Sequence, residues 1–211
     1  MQLRCKYCAF ICLFVLLGTH TCNAQTDIAA SGLGTFSVSS SNGGGTGQTQ
    51  SNAAGALLEF RYIWNPGLSF EATYSYNRAD QVYTDGGGVP AVCVLGVCAG
   101  LPRIPVAANA HELTADWIPS KTKGTLRPFA VLGVGVLIDV RSGGQSSTMT
   151  DTKPVFVFGL GMDWARWKRI GLRFQYRGNL YSAPLLTTQY TSTGSLMLTN
   201  EPMVGLYFRL P

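Results

Sequence analysis

Charge is scarce in this 211-residue chain: Asp, Glu, Lys and Arg together make up only 13% of it, and histidine occurs twice. A formal net charge of +5, thinly spread, is no footprint for nucleic acid, so no nucleic-acid partner is expected. No run of about 18 apolar residues follows residue 24, which excludes a membrane-spanning helix from that part of the chain. Beyond residue 24 the only cysteines are Cys93 and Cys98 and the only histidine is His111. So small a stock of soft ligands leaves no expected metal site and no expected cofactor. What is abundant is glycine, at 25 residues, with 11% aromatics, a mixture poor for a helical bundle and ordinary for a glycine-rich β-protein.

Residues 1–24 read as a secretory signal: Arg4 and Lys6, an apolar core from Ala9 to Gly18, then a polar stretch ending at Asn23-Ala24. Cleavage is expected after Ala24, leaving 25–211 as one domain. Export to an oxidising compartment makes a local disulfide the expected state of Cys93 and Cys98, in preference to a metal pair.

The most informative stretch runs from Lys153 to Pro184 and reads as two strands joined by a tight polar turn. Phe156, Phe158, Leu160, Met162 and Trp164 share one parity; Val157, Gly159, Gly161 and Asp163 share the other. On the return arm Ile170, Leu172, Phe174 and Tyr176 alternate with Gly171, Arg173, Gln175, Arg177 and Asn179. Strand side chains alternate faces, so each arm has one apolar face and one polar or charged face. Each arm is about ten residues long, enough for a tilted strand to cross a bilayer core.

The same alternation predicts six further strands, over 27–38, 53–64, 68–77, 107–118, 126–140 and 202–210. The predicted connections alternate long and short: 39–52, 65–67, 78–106, 119–125, 141–152, the tight turn of the hairpin, and 182–200. The expected fold is therefore all-β, an eight-stranded antiparallel up-and-down transmembrane β-barrel, with short periplasmic turns and long extracellular loops. Trp64, Trp117, Trp164 and Trp167 all fall at the short-turn end, as an interface girdle requires. Tyr74, Tyr76 and Tyr181 are expected toward the opposite rim.

With this pattern, and with Arg127-Pro128-Phe129-Ala130-Val131-Leu132-Gly133-Val134-Gly135, the chain from about 27 to 210 resembles the OmpA-like, porin-family small outer-membrane barrels. The resemblance implies residence in the outer membrane of a Gram-negative-type bacterium, contact with its lipid, and delivery by the outer-membrane insertion machinery. Such barrels usually end in an aromatic residue, whereas here Phe208 is followed by Arg209, Leu210 and Pro211.

The parity assigns Glu59, Glu71, Glu112, Asp116, Asp139 and Asp163, with Arg61, Arg127, Arg173, Arg177 and Arg209, to the interior. Confined charges must be paired, and a lumen plugged by such a network predicts a structural or surface-interaction role. Two alternatives stay open: a narrow pore for small solutes, and a soluble lipocalin-like carrier with its apolar face inward. No catalytic residues are expected, because His111 stands alone and Glu112 points to the opposite face. Loop 78–106, with the cysteine pair and Val92, Val94, Leu95, Val97, Leu101, Ile104 and Val106, is the candidate contact for an extracellular partner, or a lid over the mouth.

Overall fold

Alternating apolar and polar residues favour strands whose two faces meet different surroundings, and a sheet built from them has no free edge only if it closes on itself. In a computed structural model, residues 25–41, 46–85, 92–94, 97–99, 104–142, 149–187 and 193–210 are described. They form β1 (Gln25–Ser37), β2 (Ser40–Ser41), β3 (Thr46–Gln50), β4 (Ala53–Asn65), β5 (Leu68–Asp85), β6 (Val92–Val94), β7 (Val97–Ala99), β8 (Ile104–Pro119), β9 (Leu126–Arg141), β10 (Thr150–Trp164), β11 (Ile170–Ser182) and β12 (Leu196–Arg209).

Eight of these make a closed ring. β4 pairs with β1, β1 with β12, and the sheet continues through β11, β10, β9, β8 and β5 back to β4, every pair antiparallel. The architecture is the expected eight-stranded up-and-down barrel. At one end the connections are tight. Between β4 and β5, Asn65 Oδ1 accepts the Gly67 N–H at 2.9 Å, which reverses the chain in two residues. In the β8–β9 turn Gly124 sits at φ +63°, a conformation that favours glycine.

The outer surface is apolar over the barrel's waist: Phe60, Phe70, Leu132, Val134, Leu160, Phe174 and Leu206 are all exposed. Charged and polar side chains point inward and are buried. This is the reverse of a soluble ligand carrier. Large apolar side chains left in contact with the surroundings on every strand require those surroundings to be apolar too.

The walls are longer than expected at the loop end. β5 does not stop near Asn77 but continues to Asp85, pairing with β8 out to Tyr83↔Ile104 and with β3 from Gln50↔Gln81 to Thr46↔Asp85. β12 starts at Leu196 and β10 at Thr150, so the connections expected over 182–200 and 141–152 are shorter. The polar stretch 39–52 contributes strands and the buried Gln48 and Gln50. Polar, glycine-rich sequence hides strand structure here because these segments pair beyond the apolar band, where hydrophobic alternation is not needed.

Ile104 and Val106, expected in an exposed apolar loop, belong to the wall. Val106 is buried with Tyr83, Ala108 and Leu186, and Ile104 packs on that cluster. The other apolar loop positions lie outside the residues whose side chains are described. Tyr181 also departs from expectation: it points inward, is buried, and donates to Gln50 Oε1 at 3.0 Å. Among the described residues, the exposed tyrosines at that end are Tyr74, Tyr76 and Tyr176.

Candidate functional site

Three arginines, Arg61 on β4 and Arg173 and Arg177 on β11, are fully removed from solvent inside the barrel. Burying a guanidinium costs heavily unless its donors meet carboxylates or other acceptors. Arg61 Nε donates to Glu71 Oε2 at 2.6 Å, and its Nη1 to Asp163 Oδ2 at 3.0 Å. Arg173 grips the same Asp163 with two nitrogens, Nε to Oδ1 at 2.7 Å and Nη2 to Oδ2 at 3.2 Å. Arg173 Nη1 also donates to Glu59 and approaches Glu71 Oε2 at 3.4 Å. Two arginines and three carboxylates thus share one layer.

Ring order shows what this layer ties together. β4 and β10 stand diametrically opposite, so the Arg61–Asp163 pair spans the whole lumen. Arg173 reaches from β11 to Glu59 on β4, past two intervening strands. None of these cross-barrel strand pairs shares a backbone ladder.

Aromatic rings pack against the arginines of this layer. The guanidinium of Arg61 lies 4.3 Å from the centre of the Phe129 ring, and that of Arg173 lies 5.5 Å from the Tyr207 ring. Each ring faces a glycine across the ladder, Phe129 opposite Gly161 and Tyr207 opposite Gly171. A Cβ at either glycine would sit 2.3 Å from the ring it faces, so these glycines make the space the rings occupy.

A second layer surrounds Arg177. Its Nη1 lies 3.2 Å from Asp116 Oδ2 and its Nη2 3.7 Å from Glu112 Oε1; Nη2 also donates to Thr114 Oγ1 at 3.1 Å. Asn179 Nδ2 donates to Glu112 Oε2 at 2.9 Å. Glu201 on β12 stands opposite Arg177 in the ladder and is buried. Above this layer Tyr181, Gln50, Ser37 and Thr199 form a hydrogen-bonded group.

Part of the loop end is occupied by chain. Residues 183–187, just after β11, fold into the mouth, with Leu186 fully buried. Tyr83 Oη donates to the Pro184 carbonyl at 3.0 Å and accepts the Leu186 N–H at 2.9 Å; Gln48 Nε2 donates to Pro184 O at 2.8 Å. Asp151 Oδ2 accepts the Leu185 N–H at 2.7 Å. A strap from the β11–β12 connection occupies this part of the mouth.

The remaining interior candidates stand apart from these layers. Arg127 is at the turn-end mouth, donating to Ser69 and Ser120 hydroxyls rather than to an acid. Arg209 is half-exposed, 3.9 Å from buried Asp27. Asp139 is buried toward the loop end, and no arginine pairs with it among the described ion pairs. Sequence reasoning missed two interior acids. Glu201 precedes Pro202, and a proline read as the start of a strand left it outside that strand; Asp27 opens a strand of small residues with a faint pattern.

Trp64, Trp117, Trp164 and Trp167 are exposed at or beside the turn ends of β4, β8 and β10. The backbone of β6 and β7 sets Cys93 directly opposite Cys98. His111 points outward, its Nδ1 2.9 Å from Tyr74 Oη and its ring 5.2 Å from that of Tyr76. The residues of the expected secretory signal, 1–24, lie outside the described chain.

No family model and no curated protein matches the sequence. Solved structures do match the fold. Neisserial surface protein A superposes with a TM-score of 0.61 at 13% identity, over 88% of this chain and 97% of that one. OprG, an outer membrane protein of Pseudomonas aeruginosa, gives 0.60 at 14% identity, over 88% and 96%. Ail, the attachment invasion locus protein of Yersinia pestis, gives 0.51 at 12% identity, over 88% and 99%, in a complex with the heparin analogue sucrose octasulfate. Closed ring, apolar exterior and these superpositions agree: the chain has the fold of the small, eight-stranded bacterial outer-membrane β-barrel proteins.

Proposed function

We propose that this is an integral outer-membrane barrel whose lumen is closed and whose role is structural or surface-interaction, with its short turns in the periplasm. The observation that carries the reading is the pair of buried arginine layers bonded to strands on opposite sides of the ring. A water-filled channel would leave these groups hydrated and gain nothing from cross-lumen pairs; a closed one needs them, because its charges have no solvent. The strap at 183–187 supports closure from the other end.

Function then falls to the outside. The strands that continue past the exposed tyrosines carry the long connections, and the β6–β7 ribbon within 78–106 is the part we assign to contact with an extracellular partner, braced by a Cys93–Cys98 disulfide. Tyr74 holds His111 on the lipid-facing side while Glu112 points inward, which favours a girdle role over catalysis. Assembly would pass through the outer-membrane insertion machinery.

The test is conductance of the purified, refolded protein in a planar bilayer. A silent bilayer with demonstrably inserted barrels supports closure. Discrete conductance steps would overturn it in favour of the narrow pore.

A further inference from the structure

The charges left over from the interior layers are distributed unevenly. Lys121 and Lys123 in the β8–β9 turn, and Arg166, Lys168 and Arg169 in the β10–β11 turn, are all exposed. Arg127 and Arg209 stand beside them, half-buried. The acids at that end, Asp27 and Asp163, are buried within the barrel, so among the described residues no exposed acid offsets the cations there.

These turns are not independent. Ser120 N–H donates to Gly67 O at 2.9 Å, Ala165 N–H to Thr125 O at 2.8 Å, Arg209 N–H to Arg169 O at 2.8 Å and Leu210 N–H to Thr26 O at 2.8 Å. Turn is bonded to turn, and the last strand to the first, around the rim. The cations therefore project from a continuous, backbone-bonded collar. The exposed tryptophans lie at the same end, Trp167 next to Arg166 and Trp164 two residues before it.

We propose that this collar binds the phosphates of anionic phospholipid headgroups in the leaflet it faces. The inference rests on the membrane reading above. Cations set next to interfacial tryptophan match a lipid surface: the indoles seat at the headgroup boundary, and the ammonium and guanidinium groups then stand at phosphate depth. A soluble acidic partner would need the cations but would leave the adjacent tryptophans in water. Bidentate contacts are available from Arg166 and Arg169, and point-charge contacts from the three lysines.

All four tryptophans of the chain lie at this end, so tryptophan fluorescence reports on the collar alone. The experiment refolds the full barrel into vesicles in which either phosphatidylcholine or phosphatidylglycerol carries brominated, quenching acyl chains. Phosphatidylglycerol should be enriched about fivefold over phosphatidylcholine at the indoles, the effect of roughly one cation–phosphate contact. High salt should abolish the preference, as should K121Q/K123Q/R166Q/K168Q/R169Q. Should that variant not fold, the salt titration of the unaltered protein decides. Equal quenching by both lipids overturns the proposal while leaving the membrane barrel intact. Equal quenching together with charge-dependent pelleting on isolated peptidoglycan overturns it in favour of cell-wall carboxylates. Quenching by neither lipid removes the membrane reading and this inference with it.

Discussion

Replacing Arg173 with methionine tests the lower interior layer most directly. The side chain is wholly buried and supplies four donor contacts to three carboxylates: two to Asp163, one to Glu59 and one, longer, to Glu71. Methionine keeps much of the volume and removes the charge. Glu59, Glu71 and Asp163 would then share Arg61 alone, and Arg61 contacts only Glu71 and Asp163. Glu59 loses its arginine outright. Breaking a buried pair by removing one partner typically costs about 3–5 kcal/mol, because the stranded charge keeps its desolvation penalty. The assay is urea unfolding of the barrel refolded in bilayers, followed by the difference in gel mobility with and without boiling. R173M combined with Asp163→Asn should cost less than the two single changes added, because the second change removes part of the stranded charge. A loss below about 1 kcal/mol, with no coupling to Asp163, would refute the reasoning: water must then screen the layer, and the lumen is not dry.

Leu160→Arg, at the most exposed large apolar position on β10, should destabilise the bilayer-inserted barrel by about 2–4 kcal/mol, and much less in a soluble setting; unfolding in bilayers checks it. Gly161→Val should push the Phe129 ring off Arg61 and cost about 1–3 kcal/mol, with partial recovery when Phe129 is shortened to alanine, read in the same unfolding assay. Cys93 and Cys98 face each other across the β6–β7 ladder, so the exported protein should take up a maleimide only after reduction; labelling without reductant would show free thiols. Asp151→Asn should weaken the hold on the Leu185 N–H and raise protease cleavage within 183–195, leaving the gel mobility shift intact.

How much of the barrel was readable varied with depth in the membrane. Where a strand crosses the apolar band, every second residue must tolerate lipid, and the pattern is plain: Phe156 to Trp164 on β10, Val204 to Phe208 on β12, and even the faint Leu113-Ala115-Trp117 series on β8 point outward. Where strands run on past that band, both faces can be polar, and nothing in Thr46–Gln50 or in the outer half of β5 separates strand from loop. Tyr181 illustrates the same limit. It is far along β11, where an aromatic residue serves equally as rim or as core, and besides Thr199 on the next barrel strand it bonds to Gln50, 131 residues away in sequence.

The sequence by itself determined the strand number over the membrane band, the side each residue faces and the ends at which turns are short, because alternation and turn residues are local properties with a fixed period. Which charges meet was decided only by closure. Arg61 and Asp163 are 102 residues apart and lie on opposite strands, and they meet because the ring brings β4 and β10 face to face across a narrow lumen. Parity put both of them inside, but strand tilt and register set the height of each, and those belong to the closed barrel as a whole. The same holds for the strap at 183–187 and for the basic collar: one depends on Tyr83, Gln48 and Asp151 converging on a single mouth, the other on turns far apart in the chain being bonded around one rim.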